Sequence, residues 1–284
     1  MYDCIIIGAG PAGISASLYL TRAGLNTLVL YNNFGALEKA EKIENYYGIF
    51  PTLSGKEIAK LGIKQTESLG TTVKNEEVIG LNYDGNFVIE TLNSTYSSKA
   101  LLIATGSSAK PLKIDGIDKF IAKGVSYCAV CDGFLYKNKE IALIGSSNYA
   151  MHELDYLKNL ASKIYLLTDG KNIAKEINYT NVEVISNKIL AIEGNTRAEK
   201  VILENKTIDI DGIFVANDTL DANQLAKKIY VETENNLIKV TEQMETNIPG
   251  IFAAGDCTKG VKQISKAVSD GTKAAYSIIK FLKK

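Results

Sequence analysis

Residues 126–133 read SYCAVCDG: Cys128 and Cys131 are separated by two residues, and Asp132 follows directly. Thiols at this spacing lie within disulfide reach, so one thiolate can attack a substrate disulfide and the other can resolve the mixed disulfide. The same spacing also serves zinc, or the redox site of a thioredoxin-like fold. A closed zinc site needs four ligands, usually in two pairs. Here the other cysteines, Cys4 and Cys257, stand alone and far away, and the single histidine is His152. No metal is therefore expected, and a Ser-His-Asp or Cys-His nucleophile is disfavoured. Cys4 and Cys257 read as small buried residues. His152 reads as a packed or solvated side chain.

A second set of residues carries phosphate chemistry. Gly8-Ala9-Gly10-Pro11-Ala12-Gly13 fits G-x-G-x-x-G in its required setting, after the apolar run YDCIII and before the helical ISASLYLTRAG. Gly8 permits the turn, Gly10 lets a pyrophosphate approach backbone N–H groups at the helix start, and Gly13 lets helix and strand pack closely. NTLVLY then supplies the next strand, which ends Tyr31-Asn32-Asn33. An acid usually bonds the ribose at that place; Asn32 offers a neutral group instead.

The elements that must position these residues follow from pattern. SGKEIAKLGIKQTESLG opens with a capping box, Ser54 to Glu57, and has helical periodicity. TTVKNEEVIGLNYDG, NFVIETLN and KALLIATG read as strands, the last running into a glycine turn. After the linker-like KPLKIDGIDKF the opening repeats: KEIALIG is a strand, NYAMHELDYLKNLAS a helix and KIYLLTDG a strand, with β-rich stretches to about residue 216. IFAAGDCTKG ends a strand in Gly-Asp, and VKQISKAVSDGTKAAYSIIKFLKK closes the chain as an amphipathic helix. At 284 residues there is room for two ordinary domains. Lys+Arg and Asp+Glu are equal at 32 each, so no net field favours nucleic acid or an anionic membrane. The first residues lack the positive charge of a signal peptide, and glycines break the apolar run too early for a membrane span. A cytoplasmic protein is expected.

Five segments, in this order, carry a family resemblance: GAGPAG, IENYYGI at 43–49, ATG at 104–106, GVSYCAVCDGFLYKNK at 124–139 and METNIPGIFAAGDC at 244–257. Together they resemble the low-molecular-weight thioredoxin reductases over essentially the whole chain. The resemblance implies an α/β fold with two Rossmann-like nucleotide-binding domains, the second inserted in the first. Residues 1–112 and 239–284 would form the FAD-binding domain, and 113–238 a domain of the NAD(P)H-binding type that carries the cysteines. FAD would lie on Gly8, Gly10, Ala12 and Gly13, with Asn32 at its ribose, Asn45 facing the flavin end and Gly106 shaping the floor. Gly255 and Asp256 would reach its phosphate or ribityl chain, and Gln263 would lie near the ring. Cys128 would attack thioredoxin, Cys131 would meet the flavin, and Asp132 would donate and accept the proton, with a helix N-cap as its other reading. A homodimer is implied as well.

The sequence departs from this family at the second fingerprint. Where relatives carry G-x-G-x-x-A for NADPH, this chain has Gly145-Ser146-Ser147-Asn148-Tyr149-Ala150. Ser147 stands where pyrophosphate needs a glycine, and Tyr149 adds bulk. Thr168-Asp169-Gly170 replaces the basic cluster for a 2′-phosphate, and Arg22 and Arg197 are the only arginines. FVANDTLDANQL replaces a later glycine-and-proline turn. These departures resemble the ferredoxin-dependent flavin thioredoxin reductases, in which a one-electron carrier feeds FAD directly. The expected reaction moves electrons from reduced ferredoxin through FAD to Cys128–Cys131 and on to thioredoxin. Two alternatives stand beside it. One is an NADH- or NADPH-dependent reductase, with Asp169 as a ribose ligand for NADH. The other is a flavin-bound redox sensor without turnover.

Overall fold

The computed structural model describes residues 1–106, 112, 114–216 and 222–283. Residues 217–221 of FVANDTLDANQL and 107–111 and 113 around the linker-like segment lie outside the described residues. The chain divides into two compact units: Met1–Ala109 with Asp221–Lys284, and Lys110–Leu220.

The first unit is built on one seven-stranded sheet. Its strands are β1 (Tyr2–Ile7), β2 (Thr27–Tyr31), β3 (Thr72–Asn75), β4 (Val78–Tyr83), β5 (Phe87–Thr91), β6 (Thr95–Ile103) and β17 (Ile251–Ala253). The order runs β3-β2-β1-β6-β5-β4, with β17 also paired to β6. The first four neighbours are parallel, whereas the β4–β5–β6 meander is antiparallel. β6 divides one edge between two partners: Thr95–Ser98 pair with β5, and Leu101–Ile103 pair with β17. Strands β1, β2 and the end of β6 are buried along most of their length, which is why they read as continuous Ile/Leu/Val runs rather than alternating ones.

Helix α1 (Pro11–Arg22), helix α2 (Gly55–Ser68) and the terminal helix α6 (Ile264–Leu282) cover this sheet. Ser54 and Glu57 form the expected capping box: the Ser54 side chain accepts from Glu57 N–H, and the Glu57 carboxylate accepts from Ser54 N–H at 2.8 Å. α1 and α6 approach so closely that a Cβ on Gly271 would fall 2.1 Å from the Ala12 carbonyl oxygen. Ala12, Ala16, Leu20, Leu102, Ala274 and Ile278 form part of the core beneath them.

In the second unit, β7 (Val125–Ser126), β8 (Glu140–Ile144), β9 (Lys163–Leu167), β10 (Val182–Ile185) and β14 (Gly212–Val215) form a parallel sheet in the order β10-β9-β8-β14-β7. Helix α3 (Ala129–Asp132) follows β7, and α4 (Asn148–Leu157) follows β8. A separate antiparallel sheet, β11 (Ile189–Glu193), β12 (Lys200–Leu203) and β13 (Thr207–Asp209), packs into the same core through Ile189, Ile192, Val201 and Leu203.

The boundary after this unit differs from the expected 238. It falls at Leu220, because helix α5 (Ala222–Lys228) packs on β4 of the first unit and on the small hairpin β15 (Thr233–Glu234) and β16 (Leu237–Ile238). The Ile238 amide in turn bonds the Cys257 carbonyl at 2.8 Å. Local polarity gave no sign of this, because the contact with β4 joins segments far apart in sequence.

Candidate active site

The first unit gathers the predicted cofactor-binding residues at the carboxyl ends of its parallel strands. Ile7 pairs with Leu30 and Ile103, and Ile103 pairs with Ala253, so β1, β2, β6 and β17 end level. Gly8, Asn32, Gly106, Gly255 and Asp256 lie just past those ends. This is the edge at which open parallel sheets bind ligands. Gly8 has φ +114°, and Gly13 lies so close behind it that an added Cβ would fall 2.0 Å from the Gly8 carbonyl oxygen. Gly10 is the N-cap of α1, with no side-chain cap, and nothing lies within 4 Å of where its Cβ would be. A phosphate therefore has open access to the helix N-terminus there. A cavity of about 210 Å³ adjoins Gly10 and Pro11, lined also by Tyr46 and Ile49 of the IENYYGI segment and by Ile264 of α6.

Two candidates that lie far apart in sequence meet directly: Asn45 Nδ2 donates to Gln263 Oε1 at 3.1 Å. Asn32 is exposed at the end of β2. Thr105, beside Gly106, has a buried hydroxyl without a hydrogen-bond partner. An open glycine cradle and a buried hydroxyl without a partner on one edge suit a dinucleotide, which brings phosphate and hydroxyl acceptors. The residues present fit FAD.

Sequence reasoning missed the polar network that holds Gly255, next to Asp256, in place. Lys266 Nζ donates to the Gly255 carbonyl at 2.7 Å and to Thr258 Oγ1 at 2.9 Å, and it pairs with the Asp270 carboxylate at 2.7 Å. Asp270 also accepts from the Gly255 N–H at 3.2 Å. The i,i+4 spacing of Lys266 and Asp270 was a signal; their burial and their target were not legible. Burial pushes the Asp256 carboxyl above its ordinary value, with Lys266 and Lys262 acting the other way.

The second unit holds the sulfur chemistry. Cys128 and Cys131 are joined as a disulfide with Cα atoms 5.3 Å apart. Cys128 is buried and Cys131 partly exposed. Cys128 is the N-cap of α3, and its Sγ accepts from the Cys131 N–H at 3.2 Å. Asp132 is the last residue of that helix and stands at the N-cap position of the 3-10 turn Gly133–Tyr136, without a side-chain cap bond. Its carboxylate accepts from the Ser126 hydroxyl at 2.6 Å, and the same Ser126 Oγ accepts from the Cys128 N–H at 3.1 Å. Ser126 thus ties the acid to the first cysteine, a role that its neutral type gave no reason to expect. Burial raises the Tyr136 phenol, and the nearby Asp132 charge adds to the effect.

Cys4 and Cys257 are free and buried, as expected. Burial drives both thiols upward, Cys257 to about 12, so neither ionises near neutrality. Among the described residues no cluster of His, Cys, Asp or Glu could hold a metal ion, and no helix is long and apolar enough to cross a membrane.

The turn at Gly145–Ala150 is hydrogen-bonded by groups of the protein itself. Ser147 caps α4, its Oγ accepting from the Ala150 N–H at 3.3 Å. The Ala174 N–H donates to the Ser146 carbonyl at 2.8 Å, drawing the chain after β9 over the turn. Asp169, at φ +50°, uses its Oδ1 to accept from the Ile189 N–H at 2.8 Å. Tyr149 is wholly buried, and its hydroxyl donates to the Tyr127 carbonyl at 3.2 Å.

Comparison with known proteins places these features in context. The family model described as pyridine nucleotide-disulphide oxidoreductase matches residues 2–271. A thioredoxin reductase of Aquifex aeolicus is 35% identical, over 99% of this chain and 94% of its own. Among solved structures, the atypical thioredoxin reductase TRi of Desulfovibrio vulgaris Hildenborough is 32% identical, with a TM-score of 0.90 over 100% of this chain and 98% of that one. A ferredoxin-flavin thioredoxin reductase of Clostridium acetobutylicum is also 32% identical, with a TM-score of 0.78 over 99% and 98% of the two chains.

Proposed function

The chain belongs to the pyridine nucleotide-disulphide oxidoreductase family, in its thioredoxin reductase branch, and from that membership we propose that it reduces thioredoxin with electrons from reduced ferredoxin. FAD is the cofactor of this family. When bound it accepts electrons singly and releases them in pairs, which is what a one-electron donor requires. Gly8, Gly10, Ala12 and Gly13 would hold its pyrophosphate, and Asn32 its ribose. Gly106, Gly255 and Asp256 would line its middle, with Asn45 and Gln263 at the flavin end.

In the reduced protein the Cys128 thiolate attacks one sulfur of the thioredoxin disulfide, forming a mixed disulfide and releasing the other sulfur as a thiolate. Cys131 then attacks Cys128 Sγ, which re-forms the Cys128–Cys131 disulfide and releases dithiol thioredoxin. Asp132, oriented by the Ser126 hydroxyl, supplies the proton that the departing thiolate takes up. A sensor without turnover has no use for this proton-transfer set.

One observation carries the choice of donor. The helix N-terminus that would receive a nicotinamide nucleotide is already capped by Ser147, while the one for FAD is bare. Asp169, the group that would favour NADH, is committed to the Ile189 amide. The likeness to a ferredoxin-flavin enzyme supports the same reading. The test is anaerobic addition of NADPH, NADH and reduced ferredoxin side by side, following flavin absorbance. Ferredoxin alone should bleach the flavin. Rapid bleaching by either nicotinamide would replace this donor with a pyridine nucleotide. A homodimer in the cytoplasm belongs to the same reading, supported there by the two unpaired cysteines; a monomeric mass by sedimentation would remove the dimer.

A further inference from the structure

We propose that Tyr149 and Glu153 are positioning residues of the redox pair, gripping the backbone on both sides of Cys128 from one face of α4. The inference rests on the reading of Cys128–Cys131 as the working dithiol. Residues four apart on a helix share a face. Tyr149 Oη donates to the carbonyl of Tyr127, the residue before Cys128, at 3.2 Å. Glu153 Oε2 accepts from the N–H of Ala129, the residue after it, at 2.8 Å. All three side chains involved in the grip are enclosed: Tyr149 is 0% exposed, Glu153 2% and Cys128 5%. His152 Nδ1 lies 3.5 Å from the other carboxylate oxygen of Glu153.

The consequence is chemical. Disulfide closure depends on how often the two thiols meet, and a loop fixed at 127 and 129 keeps Cys128 within reach of Cys131. Loosening it gives freedom chiefly to the open dithiol. The equilibrium then moves toward the reduced form, and the pair becomes a weaker reductant. The helix left over from the eroded nucleotide cradle would thus tune the thiols, with Tyr149, the bulky departure from the fingerprint, as half of the device.

The test equilibrates the holoenzyme in dithiothreitol redox buffers without oxygen, traps thiols by alkylation, and counts reduced Cys128–Cys131 by mass. Glu153→Leu should shift the constant about tenfold toward the dithiol, about 30 mV for a two-electron couple. Tyr149→Phe should shift it about threefold. Glu153→Gln keeps an oxygen for the Ala129 amide and should stay near wild type. An unmoved constant in folded Glu153→Leu would overturn the proposal. So would an equal shift in Glu153→Gln, which would assign the effect to charge. If Glu153→Leu fails to fold, Tyr149→Phe decides, and an unchanged constant there is equally fatal. Neither ferredoxin nor thioredoxin enters the measurement, so its failure and the failure of the donor reading are separate results.

Discussion

The two strand-turn-helix openings of this chain, at Gly8 and at Gly145, share a topology and differ in what fills them. At the first, Gly10 leaves the start of α1 bare, and Thr105 holds a buried hydroxyl with no partner. At the second, Ser147 caps α4, Asp169 serves a backbone amide, and Tyr149 reaches back to the redox loop. Backbone N–H groups at a helix start need an acceptor from somewhere. Where the protein supplies none, a ligand can; where it supplies its own, a ligand must compete with it. The shared fold does not distinguish the two cradles; the hydrogen bonds at the helix starts do.

The largest expected effect separates the roles of the two units. Cys128→Ser should lower thioredoxin reduction by at least about a thousandfold while the flavin content stays full. An active variant would remove Cys128 as the attacking thiol. Next, Gly10→Val should weaken FAD binding by about a hundredfold, roughly 2.8 kcal/mol, without harming the fold. Its φ of −75° suits any residue, and only open space receives the side chain. Flavin-to-protein absorbance reads this directly, and a fully yellow variant would mean that the cradle is not the phosphate site.

A third substitution probes the closed cradle. Ser147→Ala removes a helix cap and should cost about 1 kcal/mol of stability, seen as a lower melting temperature. Flavin content and the choice of donor should not change. Gain of NADPH oxidation in this variant would show that one hydroxyl was all that blocked the second site. The last substitution concerns the first unit, where both free thiols lie. Below their ordinary value these thiols are protonated in both folded and unfolded chains. Above it the unfolded chain releases the Cys257 proton, which the folded chain keeps until about 12. Stability therefore falls as pH rises through this window, by at most about 1.4 kcal/mol per pH unit for this group. Urea unfolding followed by flavin release should show a shallower pH slope in Cys257→Ala.

Much of this was legible before the fold was known. GAGPAG, the capping box at Ser54 and CAVCD are local signals, and each is found where its local chemistry requires. The repeat of the opening at Gly145 was visible for the same reason, and Ser147 could be read as an obstruction. Contacts set by the path of the folded chain were not legible. Ser126 on Asp132, Glu153 on Ala129 and Lys266 on the Gly255 carbonyl each involve an ordinary residue type whose meaning comes from its neighbour in space. The 238 boundary missed for the same reason, since α5 is claimed by β4, a strand more than a hundred residues earlier in the chain.

The shared edge of β6 has a consequence for the order of assembly. Its later half waits for Ile251–Ala253, so the first unit lacks a strand and its longest helix until Ile264–Leu282 has emerged. The inserted unit is complete by Leu220. During vectorial synthesis the thiol-bearing module can thus mature while the module that begins the chain is still open.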